Sequence, residues 1–530
     1  MLEIIKHIKF YHIVLAGIII IGLFLRLYRL NSQSLWYDEV KNVSSASLFS
    51  LNNIFEEEDS AKLIFQSFIT HSWGKLFGLS EYSVRFRSVI IGTISLMLMY
   101  MLGSSIFNRT VGLLSTYILS ISPFGIYYSQ QATYSSFVLP AVLLSMMLFF
   151  KVVKAGKNSI ILTLINTFLI YIHPTCLFVV AIQNLSILLF SRNKGFLKRW
   201  AFHQIFIMIG IMIWCYIFIQ SRNIAKNAHC YWISVPTFRT LLATFENFSH
   251  GVYRFAHGGT GFIVESRYLG VPRCILFVYM SLLFYGLCMA KHETCEIKRN
   301  IKVTILWFLA PVLFSFFFSR LVMPVYADRY LLCCVVAYYL LIAYCISRIS
   351  SSNIKCGVLL LISVLHFYPL RILYEPSITQ IKTTRSWREI GQMVRNKIRF
   401  RDIIVFSPLR QIIPFWYYYK YDKDPINKSI YVMGAEICER WDVSYSDGFN
   451  AFMGTEIGQA KSFIGRYKDT IISADRIWLI ISPWWPGQGN SEELLVGFFK
   501  NNFLLKSVEE YPLPGVRVFL FENKKRYTVR

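Results

Sequence analysis

Apolar residues along this chain gather in repeated long runs separated by short polar connections. Runs at roughly 12 to 29, 84 to 105, 110 to 127, 134 to 153, 158 to 172, 174 to 191, 201 to 221, 272 to 290, 302 to 319, 328 to 347 and 354 to 372 approach the about 20 residues that a helix needs to cross a bilayer. The pattern predicts an α-helical polytopic membrane protein with about eleven transmembrane helices. No small-residue cleavage site follows the first run, which therefore reads as an uncleaved span and not as a signal peptide. After residue 375 the pattern changes. Short β-rich runs, "DIIVFSP", "SIYVM", "RIWLIISP" and "VRVFLFEN", alternate with helix-like stretches, as in a small α/β domain. Within it, Ser386 stands three residues before Glu389, a capping box that marks a helix start. The expected division is a membrane domain over 1–375 and a C-terminal α/β domain over 376–530.

The connections carry the charge. Basic residues cluster at Lys6 and Lys9, at Arg109, at Lys151 to Lys157, at Arg192 to Arg199, at Lys291 to Lys302, and at Arg348 and Lys355. These clusters alternate with connections that lack them, the positive-inside pattern of short cytoplasmic loops. With a cytoplasmic N-terminus and an odd number of spans, two long loops, 30–83 and 222–271, and the C-terminal domain face outward. The expected location is the cell (inner or plasma) membrane, with membrane lipids as neighbours. A net charge of +25 would otherwise invite a nucleic-acid partner, but its distribution among short loops argues against one. Hydrophobic residues make up 55% of the chain and charged residues 16%, against about 25% charged in soluble domains. The eleven Cys form no CxxC pair, so cysteine implies neither metal nor disulfide staple.

Candidate chemistry begins at "SLWYDEV", just past the first span, where Asp38 and Glu39 follow Trp36 and Tyr37. From the residues alone, the pair is either a solvated loop pair or a base partly desolvated at the headgroup level, where an aromatic pair anchors. Arg329, at the outer mouth of a span, either snorkels to the interface or meets an anion. The same choice holds for Arg85 and Arg87.

The stretch "RLYRLNSQSLWYDEV" resembles the first-loop signature of bacterial GT-C glycosyltransferases related to protein mannosyltransferases and aminoarabinose transferases. Later segments are similar in the same order: "WGKLFGLSEYSVRFRSVI", "SPFGIYYSQQATYSSF", "YIHPTCLF", "YWISVPTF", "PVYADRYLL" and "KTTRSWREIGQMV", so that the resemblance spans nearly the whole chain. It implies a GT-C fold and transfer of a sugar, with inversion, from a polyprenyl-phosphate donor to a lipid, glycan or protein acceptor at the outer face. Asp38 matches the family's catalytic aspartate, and Glu39 its acidic neighbour, which orients the site or binds metal. Arg329 matches the arginine for the carrier phosphate, with Arg85 and Arg87 as weaker candidates. Trp36, Tyr37, Tyr128, Gln130, Gln131, His173 and Tyr330 would line the substrate cavity. No cofactor is certain, and a divalent metal is possible in the family's chemistry. Relatives often read "SQEAR" where this chain has Gln131 and Thr133. The missing acid either is dispensable, or is replaced by Glu58, Asp59 or Glu81, or its loss marks an inactive scaffold. The remaining rival is a transporter of lipid-linked saccharide, which the near absence of charge inside the spans disfavours.

Overall fold

The structure is a computed structural model that describes residues 2–47, 60–157, 159–191, 193–224, 233, 235–251, 270–374, 386–399, 402–407, 412–420, 431–433, 464–465, 468–469, 471–481, 489–511 and 516–524. Its helices are α1 (Leu2–Leu27), α2 (Tyr37–Ser47), α3 (Ser60–Phe77), α4 (Glu81–Ile106), α5 (Arg109–Ile121), α6 (Pro123–Ser129), α7 (Ser135–Ala155), α8 (Ile160–Ile172) and α9 (Leu177–Phe190). They continue with α10 (Lys194–Ile224), α11 (Phe238–His250), α12 (Gly270–Met289), α13 (Cys295–Leu321), α14 (Leu332–Ser347) and α15 (Ser352–Tyr374).

Among the described residues, 8 helices are long and apolar enough to cross a membrane, or 9 if α5 and α6 count as one bent span. The chain is thus a helical, multi-pass membrane protein. Two runs expected as spans, 158–172 and 174–191, form the shorter apolar helices Ile160–Ile172 and Pro174–Phe190. The long outer loop expected over 30–83 also holds helices, α2 and α3, and α3 brings its own apolar length to the bundle.

The run expected as one straight span over 110–127 is broken by 66° between α5 and α6. The cause is local. Pro123 cannot extend α5, because it lacks an N–H and its ring clashes one turn back. Ser122 restarts the helix by accepting from Gly125 N at 3.1 Å. The carbonyls freed at the break are met by Arg26 of α1, which is fully buried. Its guanidinium donates to Leu119 O at 3.1 Å, Ser120 O at 3.2 Å, Gly22 O at 3.0 Å and Ser129 Oγ at 3.2 Å. Irregular backbone at membrane depth is tolerated only when neighbours satisfy it in this way.

α14 runs through the centre, with every residue from Leu332 to Ile346 buried, as expected for a helix apolar all round. α5, α12 and α13 pack around it. Gly251, the left-handed C-cap of α11 at φ +69°, lies so close to Pro123 and Phe124 that a Cβ there would meet their backbone. α11 is thereby seated on the start of α6.

Beyond residue 385 the elements are α16 (Ser386–Lys397), β1 (Asp402–Ser407), α17 (Ile412–Lys420), β2 (Tyr431–Met433), β3 (Arg476–Ile481), α18 (Gly489–Asn502), β4 (Phe503–Tyr511) and β5 (Val516–Asn523). The sheet order is β2-β1-β3-β5-β4. β1 pairs in parallel with β2 and with β3, in the register Ile403↔Ile477, and β5 runs antiparallel to both β3 and β4. Alternation decides the two faces. Ile404, Phe406, Trp478 and Ile480 pack with Trp387 and Val394 of α16 and Phe415 of α17. Ile403, Val405, Ile477 and Leu479 pack with Leu495 and Phe499 of α18. Four of the five strands match the runs read from the sequence, and α16 starts at the expected Ser386; β4 was not foreseen.

Candidate active site

The turn between α1 and α2 is almost wholly tied down by side chains. Arg29 adopts a φ of +54°, a left-handed conformation that turns the chain out of α1. Arg85, reaching across from the first turns of α4, then donates to Leu30 O at 3.2 Å, Gln33 O at 2.6 Å and Ser34 O at 3.1 Å. Leu35 N donates to the hydroxyl of Tyr418 at 2.5 Å, and Trp36 N donates to Glu39 Oε2 at 3.2 Å. The last contact is half of a capping box, in which the third helical residue reaches back to the N-cap amide. Asp38 and Glu39 therefore sit in the first turn of α2, where the helix dipole favours negative charge.

The two adjacent carboxylates have opposite surroundings. Glu39 is fully buried. Its Oε1 accepts from Arg85 Nε at 2.9 Å and from Ala132 N at 2.9 Å, and its Oε2 accepts from Arg85 Nη2 at 2.6 Å and from Trp36 N. Four donors thus occupy the roughly four lone-pair sites a carboxylate offers. Asp38 is open, its side chain 36% exposed, and its Oδ2 accepts from Arg329 Nη1 at 3.1 Å.

Arg329 lies on a short 3-10 turn, Asp328–Leu331, that leads into α14. Asp328, buried beside it, accepts from Thr244 Oγ1 at 2.5 Å and from Asn247 Nδ2, both on α11. Tyr326 O–H donates to the same threonine at 2.9 Å. α11 therefore fixes the turn that presents Arg329, whose Nη2 also donates to Tyr330 O–H at 3.2 Å. The Tyr330 ring continues into a stack. His173 lies 5.0 Å from it and 4.5 Å from Tyr134 on the other side, centroid to centroid, with interplanar angles of 28° and 13°. Burial pushes the Tyr134 phenol well up, against the opposing pull of Arg329. His173 Nδ1 also contacts Thr175 Oγ1 at 2.8 Å, so this imidazole forms wall and helix start together.

A small open cleft is lined by Arg29, Gln33, Trp36, Glu39, Arg85, Tyr127, Gln130, Gln131 and Tyr374, among others. Gln130 Nε2 ties α6 to the end of α1 by donating to Arg26 O at 2.9 Å and Tyr28 O at 3.1 Å. Tyr127 packs edge to face on Tyr128, which is itself buried against Phe124. Tyr37, the remaining aromatic expected at the cavity, is buried at the start of α2.

The sequence-derived residues thus meet at one end of the bundle, in different situations. Asp38, Arg329, Tyr330 and His173 form one wall. Trp36, Glu39, Arg85, Gln130 and Gln131 line the cleft. Arg87 is apart from both: buried, it donates to Thr70 Oγ1 and lies 5.5 Å from the centre of the Phe137 ring. Of the acids considered in place of the family's Glu, Glu81 is bonded to Arg388 of α16, and Glu58 and Asp59 lie outside the described residues. Asp38 is, among the described residues, the partly exposed carboxylate at the site. Among the described residues no three His, Cys, Asp or Glu groups converge as a metal site. Sequence reasoning passed over Asp328, Thr244, Asn247, Arg388 and Tyr418. Asp328 carried a signal, an acid inside the segment that holds Arg329; the others carried none without the fold.

Residues 64–218 match the family described as dolichyl-phosphate-mannose-protein mannosyltransferase. No curated protein matches the chain in sequence. In structure it is similar to ArnT from Cupriavidus metallidurans in the apo state, with a TM-score of 0.58 at 10% identity over 97% of this chain and 98% of that one. The same protein bound to undecaprenyl phosphate gives 0.55 at 14% identity, over 96% and 97%. The mycobacterial arabinofuranosyltransferase AftD gives 0.51 at 10% identity, over 96% of this chain and 40% of that one. Residues 64–218 thus resemble the dolichyl-phosphate-mannose-protein mannosyltransferase family, and the chain as a whole has the fold of ArnT.

Proposed function

We propose that this protein transfers a sugar from a polyprenyl-phosphate carrier to a lipid, glycan or protein acceptor, with Asp38 as general base and Arg329 as partner of the carrier phosphate. The observation that carries this reading is the 3.1 Å contact between Arg329 and Asp38, which joins an open carboxylate to a guanidinium 291 residues away at the mouth of the bundle. In the reaction, an acceptor hydroxyl or amine attacks the anomeric carbon and passes its proton to Asp38. The new bond to that carbon forms as the bond to the phosphate oxygen breaks on the opposite face, with inversion. The carrier phosphate leaves with the bonding electrons, and Arg329 offsets the charge that develops on it.

Glu39 and Arg85 have a different part in this reading. With its lone pairs taken by Arg85, Ala132 and Trp36, Glu39 orients the start of α2 and does not ligate metal. Arg85 is committed to Glu39 and three carbonyls, and Arg87 lies behind Thr70, so Arg329 is the cation assigned to the phosphate. The cleft between Trp36 and the Gln130–Gln131 pair, lined by indole, phenol and amides, suits a hydroxyl-rich substrate.

We place the site and the C-terminal domain, 376–530, outside the cytoplasm, on a membrane domain over 1–375. α8 and α9 cross as a pair in this topology: His173, between them, stacks at the site, while Gly156, just before α8, accepts from Arg199 among the basic loops. Their crossing as a pair leaves the sidedness of every later loop unchanged. The test compares, by mass spectrometry, lipid-linked sugars and surface glycans of cells with the protein, without it and with Asp38→Asn. Accumulation of one carrier-linked sugar in the last two supports the reading. Unchanged lipids and glycans in all three would overturn it.

A further inference from the structure

The C-terminal domain reaches the active-site turn from α17, whose Tyr418 offers the turn its hydroxyl. Tyr418, on α17, is buried, and its oxygen accepts from Leu35 N at 2.5 Å. The carboxylate of Glu81, the first residue of α4, lies close enough to the same hydroxyl that its charge raises the ionisation of the phenol. Glu81 in turn accepts a bidentate contact from Arg388 on α16, from Nε to Oε1 at 3.1 Å and from Nη2 to Oε2. Glu81 and Arg85 stand one turn apart on α4, so they share a face. Arg85 grips the turn by its carbonyls and by Glu39, while Tyr418, beside Glu81, grips it by the Leu35 amide. Leu35 is fully buried, so water cannot replace the phenol as acceptor for its N–H.

A phenol suits this position because its oxygen accepts from an amide while it keeps its own proton beside a carboxylate. Burial and the charge of Glu81 push its ionisation well up, so it stays a neutral O–H across the physiological range. Leu35 precedes the N-cap of the helix that carries Asp38, and the contacts on both sides leave that helix start little freedom.

We propose that Tyr418 is a positioning residue of the active site, through which the C-terminal domain sets the place of Asp38 relative to Arg329. The proposal rests on the reading of Asp38 as base. It gives the C-terminal domain a part in turnover without a residue that touches substrate. A misplacement of about 1 Å at a reacting group costs on the order of a hundredfold in rate. Tyr418→Phe keeps the ring and removes only the oxygen.

The test uses the full-length protein in detergent or nanodiscs and two readouts. One is amide hydrogen exchange in peptides covering 33–40; the other is turnover of the carrier-linked sugar identified by the mass-spectrometric comparison. Tyr418→Phe is expected to speed exchange at Leu35 at least about tenfold and to lower kcat about ten- to a hundredfold, with KM for the donor and binding of undecaprenyl phosphate nearly unchanged. Tyr417→Phe serves as control. Its hydroxyl donates to Leu79 O at 3.3 Å, a bond between the same two regions that bypasses the turn, and it should move neither readout. Arg388→Gln, which leaves the phenol in place, should give the same changes to a smaller degree and covers the case that Tyr418→Phe fails to fold.

Wild-type exchange in Tyr418→Phe, or equal losses in Tyr417→Phe, would overturn the proposal. So would faster exchange with unchanged kcat while Asp38→Asn is inactive, which leaves the base reading intact. Full activity of Asp38→Asn would remove the base reading, and the positioning role with it.

Discussion

Replacing Glu39 by Gln separates its role from that of its neighbour. The carboxylate is fully buried and accepts four hydrogen bonds, from Arg85 Nε at 2.9 Å, Arg85 Nη2 at 2.6 Å, Ala132 N at 2.9 Å and Trp36 N at 3.2 Å. A glutamine amide keeps one oxygen for two of these donors and turns an NH₂ group toward the other two. Two buried donors then lack an acceptor, at about 1–3 kcal/mol each. Breaking one side of a buried ion pair costs about 3–5 kcal/mol by the same physics seen from the charge left behind. The two routes overlap near about 4 kcal/mol, a large share of the roughly 5–15 kcal/mol by which folded domains are stable. Thermal unfolding of the detergent-solubilised protein should therefore show a clear drop in Tm. The double variant Glu39→Gln with Arg85→Gln should lose less than the sum of the two single changes. Asp38→Asn should behave in the opposite way: its side chain is 36% exposed, so Tm should stay within a degree or two of wild type, while turnover falls by roughly two to four orders of magnitude. A Glu39→Gln protein as stable as wild type but unable to turn over would refute this reasoning and hand Glu39 a direct chemical part.

Other expectations follow from the same contacts. Arg329→Ala should weaken binding of undecaprenyl phosphate, measured by native mass spectrometry, as well as turnover, because it removes charge from bound donor and departing carrier alike; unchanged binding would contradict it. Arg26→Met should leave Leu119 O and Ser120 O without their donor at membrane depth and lower Tm and yield by an amount equivalent to roughly 2–5 kcal/mol. Arg26→Lys should rescue it only in part, since one ammonium cannot reach acceptors spread around a planar fork. His250 is held below its usual pKa of 6.5, first by burial and then by the neighbouring His366. Its contribution to stability is complete above pH 6.5 and is lost as pH falls, where the unfolded chain takes up a proton that the folded chain refuses; a His250→Gln variant should show a flatter fall in Tm between pH 7 and 5. For sidedness, single cysteines at Lys194 and Lys298 should react with impermeant maleimide only after the membrane is breached, and one at Asp38 before.

Much of the architecture was legible because span length and loop charge are constraints that act residue by residue. The positions of α4, α7, α13 and α14 follow from apolar runs alone. The break at Pro123 was written in "SPFG", a cap residue followed by proline, but the apolar run passes over it without interruption. Arg26 lay in plain view inside "GLFLRLY"; its meaning as the partner of a helix break 93 residues away needed the fold. β4 was missed because its outward residues, Lys506, Glu509 and Glu510 among them, give an exposed edge strand a polar look. At the site, "SLWYDEV" and "DRYLL" named Asp38 and Arg329, and the resemblance to known relatives joined them. What no sequence pattern distinguished was which of two adjacent acids is buried. That depends on the first turn of α2, which points Asp38 and Glu39 in different directions, and on Arg85 arriving from another helix. Tyr418 was invisible for a similar reason: one of three consecutive tyrosines in "WYYYK", it is set apart by a single backbone amide.

The short helix α8 has a further consequence for the lipid around it. Its 13 residues rise about 20 Å, roughly 10 Å less than the hydrocarbon thickness of an ordinary bilayer. On the topology proposed here, the leaflets pinch in along this flank, at a fraction of a kcal/mol per Å of mismatch. The pinched flank ends at His173, stacked on Tyr330 next to Arg329. A long-chain phosphate drifting in the outer leaflet would there ride lower than its neighbours, and would come to the guanidinium with less of its tail to lift out of oil.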